Sequence, residues 1–223
     1  MSLKVNKSDK KYMNLAISLA EERVGLTGTN PSVGCVIVKK NEIISVGQTG
    51  IGGVPHAEYN AIKNSSQNVK DSTLYVTLEP CSHYGKTPPC TNIIIKSKIK
   101  KVVYSLNDID PRSSNKSKDI FRKNNILCKN ILLKRKALDL YKSYIYLKKN
   151  NLPFITGKIA CTKDYFINTS LKYISNQHSL GFSHILRYKN QGILITYKTA
   201  NLDNPKLNCR LNGLESFSPS RII

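Results

Sequence analysis

Three residues of types that bind zinc stand near one that moves protons: His56 and Glu58 in Pro55-His56-Ala57-Glu58, then Cys81 and Cys90 at the ends of Cys81-Ser82-His83-Tyr84-Gly85-Lys86-Thr87-Pro88-Pro89-Cys90. One imidazole and two thiolates fill three corners of a tetrahedral zinc site and leave the fourth for water, as a catalytic zinc requires. One zinc ion per chain is therefore expected, on His56, Cys81 and Cys90. Glu58, two residues beyond the histidine, stands near the metal without ligating it, placed to take a proton from water and hand it to a leaving amine. That chemistry is hydrolytic deamination. A closed, structural zinc would need a fourth ligand; His83 is the nearest candidate, and that arrangement leaves Glu58 without a role. The loop between Cys81 and Cys90 belongs instead at the rim of a pocket, where His83 and Lys86 can face a substrate. Cys35, Cys128, Cys161 and Cys209 read as packing residues.

These residues need elements to hold them. Ser8 or Asp9 is expected to cap a first helix whose apolar stripe is Tyr12, Leu15, Ala16, Leu19 and Ala20, ended by Thr27-Gly28-Thr29-Asn30-Pro31. Residues 34–38 and 43–47 read as strands around a polar turn. Gly50, Gly52 and Gly53 form a flexible stretch that lets backbone approach a ligand, or a slack surface loop. Pro55 suits the first turn of the helix that carries His56 and Glu58. A strand over 73–78, a helix opening at Cys90, a strand over 101–106, a short helix over 118–123, a strand over 126–131 and a basic helix over 134–149 complete the alternation. In the last helix Leu138, Tyr141 and Ile145 share one side. Helix N-termini at both ligand segments would favour the thiolates that zinc needs. Alternating strands and helices imply an α/β/α sandwich with a mixed sheet. The pattern breaks at Asn150-Asn151-Leu152-Pro153, so the domains are expected to be 1–150 and 151–223.

The H-x-E and P-C elements match the signature of zinc nucleobase deaminases, except that the second cysteine comes nine positions after the first instead of three. With that longer loop the sequence resembles the deaminase half of the bifunctional riboflavin-biosynthesis deaminase/reductases. The resemblance rests on Asn30-Pro31-Ser32-Val33-Gly34-Cys35-Val36, His56-Ala57-Glu58, Thr73-Leu74-Tyr75-Val76-Thr77-Leu78-Glu79-Pro80-Cys81 and Gly85-Lys86-Thr87-Pro88-Pro89-Cys90. It implies a cytidine-deaminase-like fold and a zinc-dependent deamination of 2,5-diamino-6-(5-phosphoribosylamino)pyrimidin-4-one. It also implies contacts from Asn30 to the pyrimidine ring, from Lys86 to the 5′-phosphate, and from Asp108 and Asp110 to the ribose. Departures stand at Thr49, where the family commonly has a histidine, and at Asn115 and Ser117, where it has glycines; substrate affinity is expected to be the property affected.

Residues 151–223 resemble the opening of the same family's reductase half, through Pro153-Phe154-Ile155-Thr156-Gly157-Lys158-Ile159-Ala160, Leu186-Arg187 and the run from Thr199 through Asp203 to Arg210. The resemblance implies that Lys158, Thr199 and Asp203 bind NADPH where that half is complete. Tyr165 and the Thr196-Tyr197-Lys198 turn depart from it and would crowd a dinucleotide phosphate. An incomplete α/β segment is expected here, with Arg221-Ile222-Ile223 as the start of another strand, and the reduction is not expected of these 223 residues alone.

Lys and Arg number 35 against 14 Asp and Glu, a formal charge of +21. That balance would suit a tRNA or free-nucleobase deaminase, or a nucleic-acid-binding module built on a structural zinc. The short cysteine spacing of the former is absent. The lysines are spread from Lys4 to Lys206 with no arginine-rich arm, which is how a solvated surface reads, so no specific nucleic acid is expected. The expected partner is a phosphorylated small molecule, and a homo-oligomer is left open. Six irregularly spaced cysteines fit a reducing compartment. Residues 1–7 lack the apolar core of a signal peptide and no run is long enough to span a bilayer, so a cytoplasmic enzyme without membrane contact is expected.

Overall fold

A computed structural model describes residues 7–130, 132–167 and 174–223; most of the N-terminal stretch read above, residues 1–6, lies outside them. The first helix, α1, runs Lys7–Arg23. It begins ahead of both residues expected to cap it. Asp9 lies in its first turn and is buried, accepting a hydrogen bond from the Tyr75 hydroxyl at 2.6 Å and facing the ammonium groups of Lys101 at 3.4 Å and Lys129 at 3.9 Å. A carboxylate offered a phenol and two cations by the sheet gains more than one capping a helix end.

Strands β1 (Gly34–Lys39) and β2 (Glu42–Gln48) form a hairpin. Lys40 and Asn41 both hold positive φ, 49° and 67°, the geometry that matches the twist of a two-residue hairpin. Then follow α2 (Ala57–Lys63), β3 (Thr73–Leu78), α3 (Cys90–Lys96), β4 (Lys101–Leu106), α4 (Ser117–Lys123), β5 (Leu127–Lys129) and α5 (Lys134–Asn150). The sheet order is β2-β1-β3-β4-β5, with β1 antiparallel to both neighbours and β3, β4 and β5 parallel. This is the expected mixed sheet. The strand expected over 126–131 is shorter, and Ile131 lies outside the described residues.

Two apolar clusters make the layers. On one face α1 packs Tyr12, Met13, Ala16 and Ile17 against Val36, Val38, Tyr75 and Val103. Ala57 and Ala61 of α2, Ile94 of α3 and Phe121 of α4 cover Cys35, Ile37, Leu74, Val76, Val102 and Tyr104 on the other. Burying a large apolar side chain stabilises by about 1.5–3 kcal/mol, so these positions fix the strand register. Gly34 lets α1 approach β1: a Cβ there would lie 2.9 Å from the Ala20 nitrogen. In α5, Ala137 and Tyr141 are buried and Ile145 packs against the core, whereas Leu138, expected on that side, is 41% exposed. The Tyr141 hydroxyl is 2.5 Å from Thr77 Oγ1, which fixes the helix rotation that leaves Leu138 outside.

The chain divides into two compact units, Met1–Phe154 and Ile155–Ile223. The division falls later than the end of α5 because Phe154 packs edge-on to Tyr146, with ring centroids 5.9 Å apart. The second unit holds α6 (Gln177–Tyr188), β6 (Gly192–Leu194), α7 (Tyr197–Asp203) and β7 (Ser220–Ile222), and β6 pairs in parallel with β7. Both of its helices carry a side-chain cap: Asn176 Oδ1 accepts from Ser179 N at 2.9 Å and Thr196 Oγ1 from Thr199 N at 3.3 Å. No described helix is long and apolar enough to cross a membrane.

Candidate active site

His56 is the N-cap residue of α2 and makes no side-chain cap bond, so its ring is free to turn toward the cysteines. Pro55 lies ahead of the helix, not in its first turn; the Val54–Pro55 peptide is cis. Cys90 opens α3, and its backbone N–H donates to Cys81 Sγ at 3.2 Å. Cys81 itself sits in the loop after β3, not at a helix start. His56 Nδ1 lies 3.3 Å from Cys90 Sγ and 3.6 Å from Cys81 Sγ, and the three ligand atoms fall within 4.8 Å of one another. Tetrahedral zinc with ordinary Zn–N and Zn–S bonds separates such donors by about 3.6 Å. The donor set and its spacing fit zinc. His83 is no part of this cluster; its Nδ1 is 2.8 Å from Ser113 Oγ, so the closed four-ligand alternative has no fourth ligand here.

The charges are arranged to match. The hydrogen bond from Cys90 holds the Cys81 thiol far below its ordinary pKa, while sharing that proton and burial push Cys90 up. Cys81 is thus already a thiolate, and Cys90 is the thiol whose proton a metal must displace. Glu58, in the first turn of α2, is 4% exposed, and burial first, then the charge of Cys81, raises its pKa to about 7. A carboxyl titrating there exchanges protons in both directions at neutral pH.

A cavity of about 360 Å³ opens onto this cluster, and His56, Glu58, Cys81, Asn30, His83, Lys86, Asp108 and Asp110 all line it. The structure therefore brings together nine positions singled out in the first unit, with Cys90 behind the wall. Asn30 is oriented by its Nδ2 donating to Gly53 O at 3.2 Å, and Thr27 Oγ1 donates to its carbonyl at 2.7 Å. The glycine stretch is a tight turn over Ile51–Gly53, with positive φ at Gly52 and Gly53, folded onto Asn30 and not a slack loop. Thr49 is buried and bonds backbone, accepting from Val33 N at 2.9 Å. Asn115 takes the left-handed conformation, φ 60°, while Ser117 starts α4 and is fully buried.

Four lining residues were not anticipated from the sequence. Tyr144 donates to Asp108 Oδ1 at 3.1 Å. Arg112 grips Asp110 with its Nε at 2.9 Å and Nη2 at 2.6 Å, and Lys148 stands 3.7 Å from the same carboxylate, so Asp110 is held well below the usual carboxylate range. Glu79 sits buried beneath them. Tyr144 and Lys148 are four apart on α5, a spacing that signalled one helix face but not which cavity that face borders.

In the second unit, Lys158 and Asp203 are exposed, and Thr199 is half-buried in the first turn of α7, where its N–H meets Thr196. These described residues form no cradle that fits a dinucleotide.

Residues 6–106 match the model of the cytidine and deoxycytidylate deaminase zinc-binding region. The chain is 39% identical over 222 residues to the riboflavin biosynthesis protein RibD of Aquifex aeolicus, covering 98% of this chain and 62% of that protein. It is 39% identical over 218 residues to RibD of Bacillus amyloliquefaciens, covering 96% and 58%. The crystal structure of a diaminohydroxyphosphoribosylaminopyrimidine deaminase/5-amino-6-(5-phosphoribosylamino)uracil reductase from Thermotoga maritima superposes with a TM-score of 0.87 at 35% identity, over 96% of this chain and 62% of that one. The chain thus spans about three fifths of the length of these relatives.

Proposed function

With the chain homologous over nearly its whole length to the riboflavin-biosynthesis deaminase/reductases, we propose that it deaminates 2,5-diamino-6-(5-phosphoribosylamino)pyrimidin-4-one to 5-amino-6-(5-phosphoribosylamino)uracil. The observation that carries this reading is the convergence of a His/Cys/Cys cluster, a buried carboxyl and three cationic side chains, Lys86, Arg112 and Lys148, on one cavity.

One zinc ion would be held by His56 Nδ1 and the sulfurs of Cys81 and Cys90. Bound there, zinc makes a water molecule acidic enough to lose a proton near neutral pH. Glu58 takes that proton as the water oxygen bonds to the ring carbon, then passes it to the amine nitrogen as the C–N bond breaks. The second water proton moves to the adjacent ring nitrogen, so that a carbonyl replaces the amine and ammonia departs. Asn30 orients the pyrimidine ring, Lys86 pairs with the 5′-phosphate, and Asp108 meets the ribose. Asp110, already gripped by Arg112, shapes the wall beside the ribose instead of offering a free carboxylate.

NADPH belongs to this reading only where a complete reductase half supplies the rest of its site; Lys158, Thr199 and Asp203 remain its candidate contacts. Cys81 and Cys90 must stay reduced to hold a metal, which suits a reducing, cytoplasmic setting. The partner is a phosphorylated small molecule, with no specific nucleic acid and a homo-oligomer compatible with the reading. The test is to incubate the zinc-loaded chain with the diaminopyrimidine phosphate and measure ammonia. Release of one ammonia per aminouracil formed is expected; none from that substrate, with release from a nucleobase or tRNA, would overturn it.

A further inference from the structure

The Glu79 carboxylate has no part in the chemistry above, is 2% exposed, and forms no ion pair among the described residues. Its backbone N–H donates to Leu106 O at 2.8 Å, continuing the β3–β4 pairing by one rung and aiming the side chain into the loop between β4 and α4. There Oε2 accepts from Asp108 N at 3.2 Å and Asn115 N at 2.9 Å. Oε1 accepts from Ser117 N at 3.1 Å and Ser117 Oγ at 2.9 Å. A buried anion without a counter-ion survives only when donors surround it, and four charge-assisted bonds do so here.

The loop gathered this way carries Asp108 and Asp110, and through Ser113 it reaches His83 in the segment between the cysteines. On its other side Glu79 is joined through Pro80 to Cys81. One side chain thus ties the wall where the ribosyl phosphate would lie to the segment that holds the metal. We propose that Glu79 is a positioning residue: it fixes the Asn107–Ser117 loop against the zinc-ligand segment and so sets how tightly the pocket holds the ribosyl phosphate, without moving a proton. The proposal rests on the deaminase reading.

Glu79→Gln tests it, because the amide NH₂ must face either two backbone N–H donors or the Ser117 pair, whose hydroxyl can turn to accept but whose N–H cannot, so at least one of the four bonds fails and all lose their charge assistance. The zinc-loaded variant is expected to keep full metal content and kcat within about threefold, while KM for the phosphorylated substrate rises about 10–100-fold. Hydrogen exchange at the Asp108, Asn115 and Ser117 amides should speed by a similar factor, with β3 and α3 unchanged. Ser117→Ala, which removes one of the four bonds to Glu79 and the hydroxyl's contact with Tyr104, should move KM and exchange the same way by about 3–10-fold, and it serves if Glu79→Gln does not fold. Wild-type KM and exchange in both variants, a fall in kcat at constant KM, or loss of zinc would overturn the proposal. If the wild-type chain releases no ammonia, the deaminase reading falls. Exchange in the loop, together with equilibrium dialysis of the unreacted substrate against both variants, then still decides the role of Glu79.

Discussion

The two units treat their candidate residues in opposite ways. In Met1–Phe154, His56, Glu58 and Cys90 sit at helix starts and Cys81 just beyond β3, backed by a core cluster, and neighbouring side chains are committed: Asn30 to Gly53, His83 to Ser113, Asp108 to Tyr144. In Ile155–Ile223, Lys158 and Asp203 are exposed, α6 and α7 bury no residue, and the parallel pair β6–β7 has three residues in each strand. A binding constellation keeps its shape only when its own rotamers are locked by what lies behind them. The first unit has that backing, and the second, in the described residues, does not.

The hardest blow to this contrast falls on the metal. Cys81→Ser or Cys90→Ser should abolish zinc retention by elemental analysis and with it all ammonia release, because two ligands cannot replace three. A Cys81→Ser protein with full zinc would mean the first unit is no better built than the second. Next comes Glu58→Gln, which should keep zinc and lose turnover by ~10²-fold or more, since an amide cannot shuttle the proton. Unchanged ammonia release would move the base elsewhere.

Lys86→Ala should raise KM for the phosphorylated substrate by about 10-fold and leave the dephosphorylated nucleoside nearly unaffected, since only the dianion pairs with the ammonium. Equal losses for both would return Lys86 to the solvated surface.

Smaller still is a pH effect at the rim. Arg112 and Lys148 depress Asp110 in the folded chain, so their contribution is full above the unfolded carboxylate pKa of about 3.9 and fades as pH falls toward the folded value. Thermal melts from pH 6 downward, with the acid end at about pH 3, should show Arg112→Ala losing less stability than wild type over that window; parallel curves would place Asp110 outside any ion pair. The effect is modest because Arg112 is 60% exposed and screened by solvent. Least of all, Thr196→Ala removes the cap of α7, a change of ~1 kcal/mol, and should loosen only the second unit while ammonia release stays constant. Coupled loss of both would break the separation between the units.

The sequence was most legible where chemistry forces residue type. Zinc ligands and their proton carrier come from a short menu, and strand alternation placed the sheet within a residue or two. The turn at Lys40-Asn41 and the strand at Ser220–Ile222 were readable for the same reason. What was hidden depends on partners far away in sequence. Asp9 is drawn off a capping role by Tyr75, 66 residues on, and Leu138 is turned outward because Tyr141 meets Thr77. Tyr144 and Lys148 border the cavity only because α5 returns past the loop after β4. Glu79 stood within a quoted motif, yet its four donors come from 29 to 38 residues downstream, so no local pattern exposed its role.

Gly53 bears on how this pocket could change over generations of substitution. Its φ is 95°, and any Cβ there would lie 2.8 Å from Asn30 Cβ and 2.7 Å from Thr27 O. A residue larger than glycine is excluded at 53 whatever stands at 30, because the Thr27 carbonyl and the positive φ do not depend on the Asn30 side chain. Libraries that randomise the lining should return glycine at 53 in single and paired designs alike, while position 30 varies. Altered ring recognition must then come from position 30 and the rest of the lining, set against an unchanging Gly53 backbone.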